Sequence, residues 1–311
     1  MTILVTGAAG FIGSNLVDTL LAHGHTVVGV DNFDPYYPRS RKLKNIAAAK
    51  ANKKFTLYEA DIRDGVAMKK LLKDCEAVFH LAAKAGVRNS LSDPFGYNDV
   101  NVTGTLNLLE LSRNTAVKKL VYASSSSVYG PANRLPISED HPTNPISPYG
   151  ASKLAGEKYC FAYDQMHGLK TVSLRFFTVY GPRQRPDEAI HKFTAQLTSN
   201  EPITVFGSGK QTRDFTYVSD IVAGLIAAWR SPAHAAAFNL GSGQRIALND
   251  LINLLSTSLG TRVKKTVAPA AKGDVPDTLA DITFAQEALS YQPKVPIQDG
   301  IPKFVQWWRE Q

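Results

Sequence analysis

Apolar and β-branched residues gather in short runs along the first half of the chain, at Ile3–Val5, Thr26–Val30, Phe55–Glu59, Ala77–Leu81, Lys119–Ala123 and Thr171–Arg175. Runs of this length, separated by stretches of helical periodicity, predict buried strands. Between the first two, Ile12, Leu16 and Leu20 recur at helical spacing and Gly24 supplies an end signal, so the connection is a helix packed on the sheet. Strand and helix in alternation, joined by right-handed crossovers, predict a doubly wound α/β fold around a parallel sheet.

After Arg175 the rhythm changes. Pro182, Pro186 and Pro202, with the turn Phe206-Gly207-Ser208-Gly209, interrupt the strand–helix alternation and predict a second, smaller α/β region. Within it Asp214–Trp229 reads as a helix, Ala237–Leu240 as a strand returning to the first region, and Leu248–Leu259 as another helix. The expected division is residues 1–178 with a return segment at 214–243 for one domain, and 179–213 with 244–311 for the other.

With 311 residues, 44% hydrophobic and 20% charged, the composition excludes a disordered, collagenous or coiled-coil chain. Thirty-five Lys and Arg against 27 Asp and Glu leave +8, which favours an anionic partner. No helix or strand interleaves basic and aromatic residues, so a phosphorylated small molecule is expected rather than nucleic acid. Cys75 and Cys160 make neither a disulfide framework nor a metal-ligand spacing, and no metal is expected. The longest apolar run, Ile221–Trp229, is too short to cross a bilayer, and Met1–Thr6 lead into a glycine turn without a basic leader. A soluble, cytoplasmic protein without a membrane partner is the expectation.

The chemistry starts at that turn. Val5-Thr6-Gly7-Ala8-Ala9-Gly10-Phe11-Ile12-Gly13 places three glycines between a strand and a helix, where backbone can approach a pyrophosphate and the helix N-terminus meets its charge. The spacing is G-x-x-G-x-x-G, and Asp31 closes the next strand, where a carboxylate can accept from both hydroxyls of a ribose. A 2′-phosphate would face that charge, so NAD is favoured over NADP. Arg39, Arg41, Lys42 and Lys44 either reach a 2′-phosphate or form a solvated loop, and the loop is the preferred reading. Asn32, Asp61-Ile62 and Leu81-Ala82-Ala83-Lys84, at the ends of the following strands, are expected to line the nucleotide, with Phe11 and Ile12 at the turn itself.

Tyr149 and Lys153 stand four residues apart at the head of a helical pattern, so both project from one face. A phenol near its usual pKa of about 10 is a poor base at neutral pH, but a neighbouring ammonium favours the phenolate. Ser124-Ser125-Ser126-Ser127 follows the fifth strand, at the carboxyl edge where open α/β sheets bind ligands. Hydroxyls there can polarise a carbonyl, although some simply satisfy a tight turn.

Gly7, Gly10, Gly13, the serine run, Tyr149 and Lys153 together resemble the extended short-chain dehydrogenase/reductase family, a Rossmann-like fold, and within it the nucleotide-sugar 4-epimerases. The resemblance implies that Ser125 is the catalytic hydroxyl, with Ser126 the second choice, and that Ser126 and Ser127 line a sugar pocket. The segment Leu174–Asp187 is most similar to UDP-glucuronate 4-epimerases and close UDP-glucose epimerase relatives. It implies Thr178 beside the sugar and Arg185 opposite a sugar carboxylate, a task that suits the bidentate fork of a guanidinium. Arg88 and Arg213 are implied on the diphosphate, Phe206 near the uracil and Asp274 near the uridine ribose. Related dehydratases and decarboxylases carry an acidic residue in the turn that here holds Ser126 and Ser127, so epimerisation is the expected outcome. UDP-glucuronate with UDP-galacturonate is the first expected pair, UDP-glucose with UDP-galactose the second, and their N-acetylated versions the third. An NADP-dependent keto-sugar reductase and a non-catalytic NAD-sensing protein are the alternatives, disfavoured by Asp31 and by the Tyr149–Lys153 pair respectively. Relatives assemble through helices near 98–113 and 149–166, which implies a homodimer.

Overall fold

The computed structural model describes residues 1–269 and 275–311. Its strands are β1 (Thr2–Thr6), β2 (Thr26–Asp31), β3 (Phe55–Glu59), β4 (Ala77–His80), β5 (Lys119–Ser125), β6 (Lys170–Phe176), β7 (Thr178–Tyr180), β8 (Ile203–Phe206), β9 (Thr212–Arg213), β10 (Phe215–Tyr217), β11 (Ala236–Leu240), β12 (Ile246–Ala247) and β13 (Lys265–Ala268). Seven of them form one parallel sheet in the order β11-β6-β5-β4-β1-β2-β3. The order reverses between β1 and β4, the place where open α/β sheets leave a crevice at their carboxyl ends.

Both sheet faces are covered, which explains why the strands read as near-continuous apolar runs rather than alternating ones. On one face the helices Phe11–Ala22, Val218–Arg230 and Thr283–Leu289 pack through Leu16, Leu20, Ile221, Leu225 and Leu289 onto Ile3, Val5, Phe79, Val121 and Phe238. On the other, Gly65–Leu72, Gly104–Ser112 and Pro148–His167 pack through Met68, Leu72, Leu108, Leu109 and Cys160 onto Leu4, Val78, Leu120 and Tyr122. A separate apolar cluster, with Tyr180, Ile190, Phe193, Leu251, Leu255, Ile301 and Phe304, underlies the remaining segments.

Asp214–Trp229 departs from its predicted helix. Phe215–Tyr217 is a strand paired with β7, and the helix runs only from Val218 to Arg230. Asp214 is fully buried because its carboxylate is a junction: it accepts from Ser242 N (2.7 Å), Ser242 Oγ (2.7 Å), Gly243 N and Ala280 N (both 3.1 Å). A carboxylate committed to so many donors holds its segment out of helical geometry, a non-local cause that periodicity does not carry.

Candidate functional site

One cavity of about 430 Å³ runs along the carboxyl edge of the sheet, from the glycine turn to the serine run and on to the loop after β7. It is lined by Gly7, Gly10, Phe11, Ile12, Gly13, Asp31, Asn32, Ile62, Leu81, Ala82, Ala83 and Lys84, and also by Ser125, Ser126, Ser127, Tyr149, Lys153, Thr178 and Arg185.

The glycine turn is closely fitted. Gly7 has φ +68°, and a Cβ there would lie 2.9 Å from Ala82 N; a Cβ on Gly13 would lie 2.1 Å from Gly7 O. Only glycine allows that approach of helix to strand. Gly10 caps the helix Phe11–Ala22 without a side-chain bond, and no acidic residue occupies the first turn, so its N-terminal N–H groups and dipole suit an anion. The cradle therefore fits the pyrophosphate of NAD. Behind it, His80 bridges Thr6 Oγ1 (2.8 Å) and Thr105 Oγ1 (2.9 Å), and Thr6 Oγ1 accepts from Ala82 N (3.1 Å), which fixes the 81–84 wall. Burial lowers the His80 pKa to about 3.

Asp31 accepts from Ala9 N (3.1 Å) and Phe33 N (2.8 Å), tying the turn to the end of β2. It also pairs with Lys42 Nζ at 3.3 Å. This corrects the solvated-loop reading of the basic cluster: Arg39–Asn45 is a helix, and Lys42 is buried against the Tyr37 ring. Arg39 pairs with Glu59 at the surface, while Arg41 contacts His191. Asp61 stands just outside the lining, between Ala60 and Ile62, and accepts from Asn32 and Arg63.

Ser147 caps the helix Pro148–His167 through Gly150 N (3.1 Å), which presents Tyr149 and Lys153 to the cavity one turn apart. Burial pushes the Tyr149 phenol above its ordinary value, against the pull of a hydrogen bond with Ser125 and the charge of Arg185. Lys153 Nζ donates to Ala123 O (2.8 Å) and stands 5.1 Å from the Tyr122 ring centre, and burial brings its own pKa down to about 7. Ser125 is the serine bonded to Tyr149, and it also touches Ser127 Oγ (3.1 Å). One turn beyond Lys153, Glu157 holds Arg175 of β6 in a buried bidentate pair, Nε to Oε1 at 3.0 Å and Nη2 to Oε2 at 2.8 Å, and also accepts from Ser124.

Three implied substrate residues stand beyond the lining of this cavity. Arg88 lies over the Phe206 ring at 4.9 Å, and Arg213 Nη1 donates to Thr212 O (2.8 Å) and Pro276 O (2.9 Å). Asp274 lies outside the described residues. Conversely, Tyr36, Tyr37, Gln184 and Glu188 line the cavity without having been singled out. The aromatic doublet in Asp34-Pro35-Tyr36-Tyr37, just after the Asp31 strand, was a readable signal for the first two.

Residues 3–241 match the model of the NAD dependent epimerase/dehydratase family. A UDP-glucuronate 4-epimerase of Thermodesulfobacterium geofontis is 41% identical over 311 residues, covering 99% of this chain and 96% of its own. The crystal structure of UDP-glucuronic acid 4-epimerase from Bacillus cereus with UDP-glucuronic acid and NAD superposes with a TM-score of 0.95 at 39% identity, covering 100% of this chain and 99% of its own. UDP-glucose 4-epimerase from Thermotoga maritima with UDP-glucose gives 0.93 at 36% identity, again covering 100% and 99%.

Proposed function

Because this chain belongs to the NAD dependent epimerase/dehydratase family, we propose that it inverts the C4 centre of UDP-glucuronate, interconverting it with UDP-galacturonate. It is an NAD-dependent isomerase, a nucleotide-sugar 4-epimerase of the extended short-chain dehydrogenase/reductase kind. The uronate is supported by one observation above the others: the guanidinium of Arg185 lines the same cavity as Tyr149, Lys153 and the glycine turn. Neutral hexoses offer that cation no carboxylate.

NAD, held by the glycine turn and Asp31, would supply a reversible two-electron acceptor for C4. Tyr149, as phenolate, removes the proton of the 4-hydroxyl, and the C4 oxygen becomes a ketone held by Ser125. The keto sugar turns about its phosphate linkage and presents its other face. Tyr149 returns the proton there, which leaves C4 inverted and the phenolate restored for the next cycle. Lys153 orients the nicotinamide ribose and, when charged, favours the phenolate. Ser126, Ser127 and Thr178 flank the sugar. Arg88 and Phe206 would meet the nucleotide together, stacked as they are, while Arg213 and Asp274 are assigned to the diphosphate and the uridine ribose. No carboxylate stands in the turn Ser126–Val128, so acid–base catalysis of elimination has no group there.

The same reading includes the division of the chain after residue 178, a homodimer and a cytoplasmic setting. Exposed Phe95, Tyr159, Phe161 and Met166, on the short helix Pro94–Asn98 and on the Tyr149 helix, support a subunit face, and both cysteines are free and buried. Among the described residues no helix is long and apolar enough to cross a membrane. Proton NMR of the purified protein with each UDP-sugar tests the substrate: UDP-glucuronate should give UDP-galacturonate. Turnover of UDP-glucose alone would reassign the pair, and a monomer in sedimentation equilibrium would remove the dimer.

A further inference from the structure

Two carboxylates share the one guanidinium that faces the sugar half of the cavity. Asp187 takes the Nε edge of Arg185, Oδ1 at 3.1 Å, and its Oδ2 accepts from Tyr36 OH at 2.9 Å. Glu188 takes Nη2 at 2.9 Å, and its other oxygen accepts from Gln184 Nε2 at 2.8 Å. The two acids are not equivalent, because Glu188 lines the cavity with Arg185 and Asp187 does not. Glu188 also occupies the cap position of the helix Ala189–Thr198, yet its carboxylate bonds none of the helix N–H groups. Its side chain is committed to the guanidinium instead.

We propose that Glu188 is a specificity-determining residue, a resident carboxylate on Arg185 that an anionic sugar must displace and that a neutral sugar leaves in place. The proposal rests on the reading of this cavity as the sugar site. With both acids ionised the Arg185–Asp187–Glu188 cluster carries a net −1, so a uronate arrives as a third carboxylate around a single cation. Like charges crowded in a partly desolvated site repel strongly, and one must leave. Asp187 is held by Tyr36 and Glu188 by Gln184, but only Glu188 lines the cavity, so Glu188 is the group that an incoming carboxylate meets and displaces. Selectivity is a difference of affinities, and a charge that penalises only one ligand class sets that difference. Burial pushes the Glu188 pKa up while Arg185 pulls it down, and the Glu188 charge also raises the Tyr149 pKa; both agree with a carboxylate turned toward the reacting centre.

The test is calorimetric titration of the NAD-loaded protein with UDP-glucuronate and with UDP-glucose, for the wild type and for Glu188→Gln, which keeps the size and the Gln184 contact. The ratio of the two dissociation constants should move toward the uronate by about tenfold, the scale of one charge-assisted hydrogen bond. A ratio that stays put, or moves toward UDP-glucose, would overturn the proposal. Glu188→Asp, which withdraws the carboxylate by one methylene, should shift the ratio the same way by less, and stands in should the glutamine variant not fold. NMR turnover on the same wild-type sample keeps the two readings apart: binding without epimerisation defeats the assigned function only, and an unmoved ratio with intact turnover defeats only the role of Glu188.

Discussion

On the proposed reading the cavity divides into a cofactor half and a sugar half, side by side on one sheet edge yet assembled from different material. Around the nucleotide the wall is mostly backbone, set by a nine-residue turn and by strand ends one βα unit apart. Around the sugar it consists of long side chains: Arg185 and Glu188 from the loop after β7, Tyr36 from the loop after β2, Tyr149 from a helix a hundred residues further on. Backbone geometry is fixed by glycine and by packing, and so tolerates little change. Side-chain ion pairs can exchange partners, and so can be retuned for another sugar without rebuilding the fold.

Tyr149→Phe should part the two halves most sharply. Loss of the phenol removes proton transfer and should lower kcat about a thousandfold, within the usual range for a lost general base. NAD should still copurify, read from the absorbance of the denatured supernatant; loss of cofactor with activity would mean that the halves are not separable. Gly13→Ala strikes from the other side. A Cβ 2.1 Å from Gly7 O forces the helix from the strand, at a cost of about 1–3 kcal/mol for overpacking. Bound NAD should be lost and the melting temperature should fall, and an alanine protein that retains cofactor would show the turn to be looser than described.

Ser125→Ala probes the seam. The Ser125 bond draws the Tyr149 pKa down, so without it the phenol holds its proton more firmly. Activity needs the phenolate, so it rises with pH, and the acid limb of kcat/KM should move to higher pH, with kcat down about tenfold. An unshifted limb would pass that role to Ser126. The mildest effect belongs to the scaffold behind the cofactor. His80 stays neutral in the fold down to about 3 while the unfolded chain's histidine protonates at 6.5, so its contribution to stability is complete above 6.5 and drains as pH falls toward 3. His80→Gln should flatten that stretch of the stability–pH curve by a few degrees of melting temperature; a curve parallel to the wild type would assign the acid loss to another group.

Local physics made the cofactor half readable. A glycine turn, a strand-end acid and a Tyr–Lys pair at helical spacing each declare themselves within a dozen residues, and all of them line the cavity. Lys42 misled because three other bases surround it in sequence, while its burial against Tyr37 and Asp31 is a tertiary fact. Glu188 gave no sign because an acid before a helix reads as an ordinary cap, and its true partner is three residues back along a turn. Asp214 was drawn into a helix by the apolar pattern that follows it, although four of its five donors come from segments near 242 and 280.

The Glu157–Arg175 clasp joins the helix that carries Tyr149 to the strand next to the serine run. Sliding that helix by a single residue, about 1.5 Å, would strand a guanidinium and a carboxylate in dry surroundings, an unpaired state worth several kcal/mol. Base and hydroxyl are thus riveted into one frame. On the proposed reading, a reaction that demands both faces of the same carbon then leaves the turning to the guest, inside a housing braced by that pair.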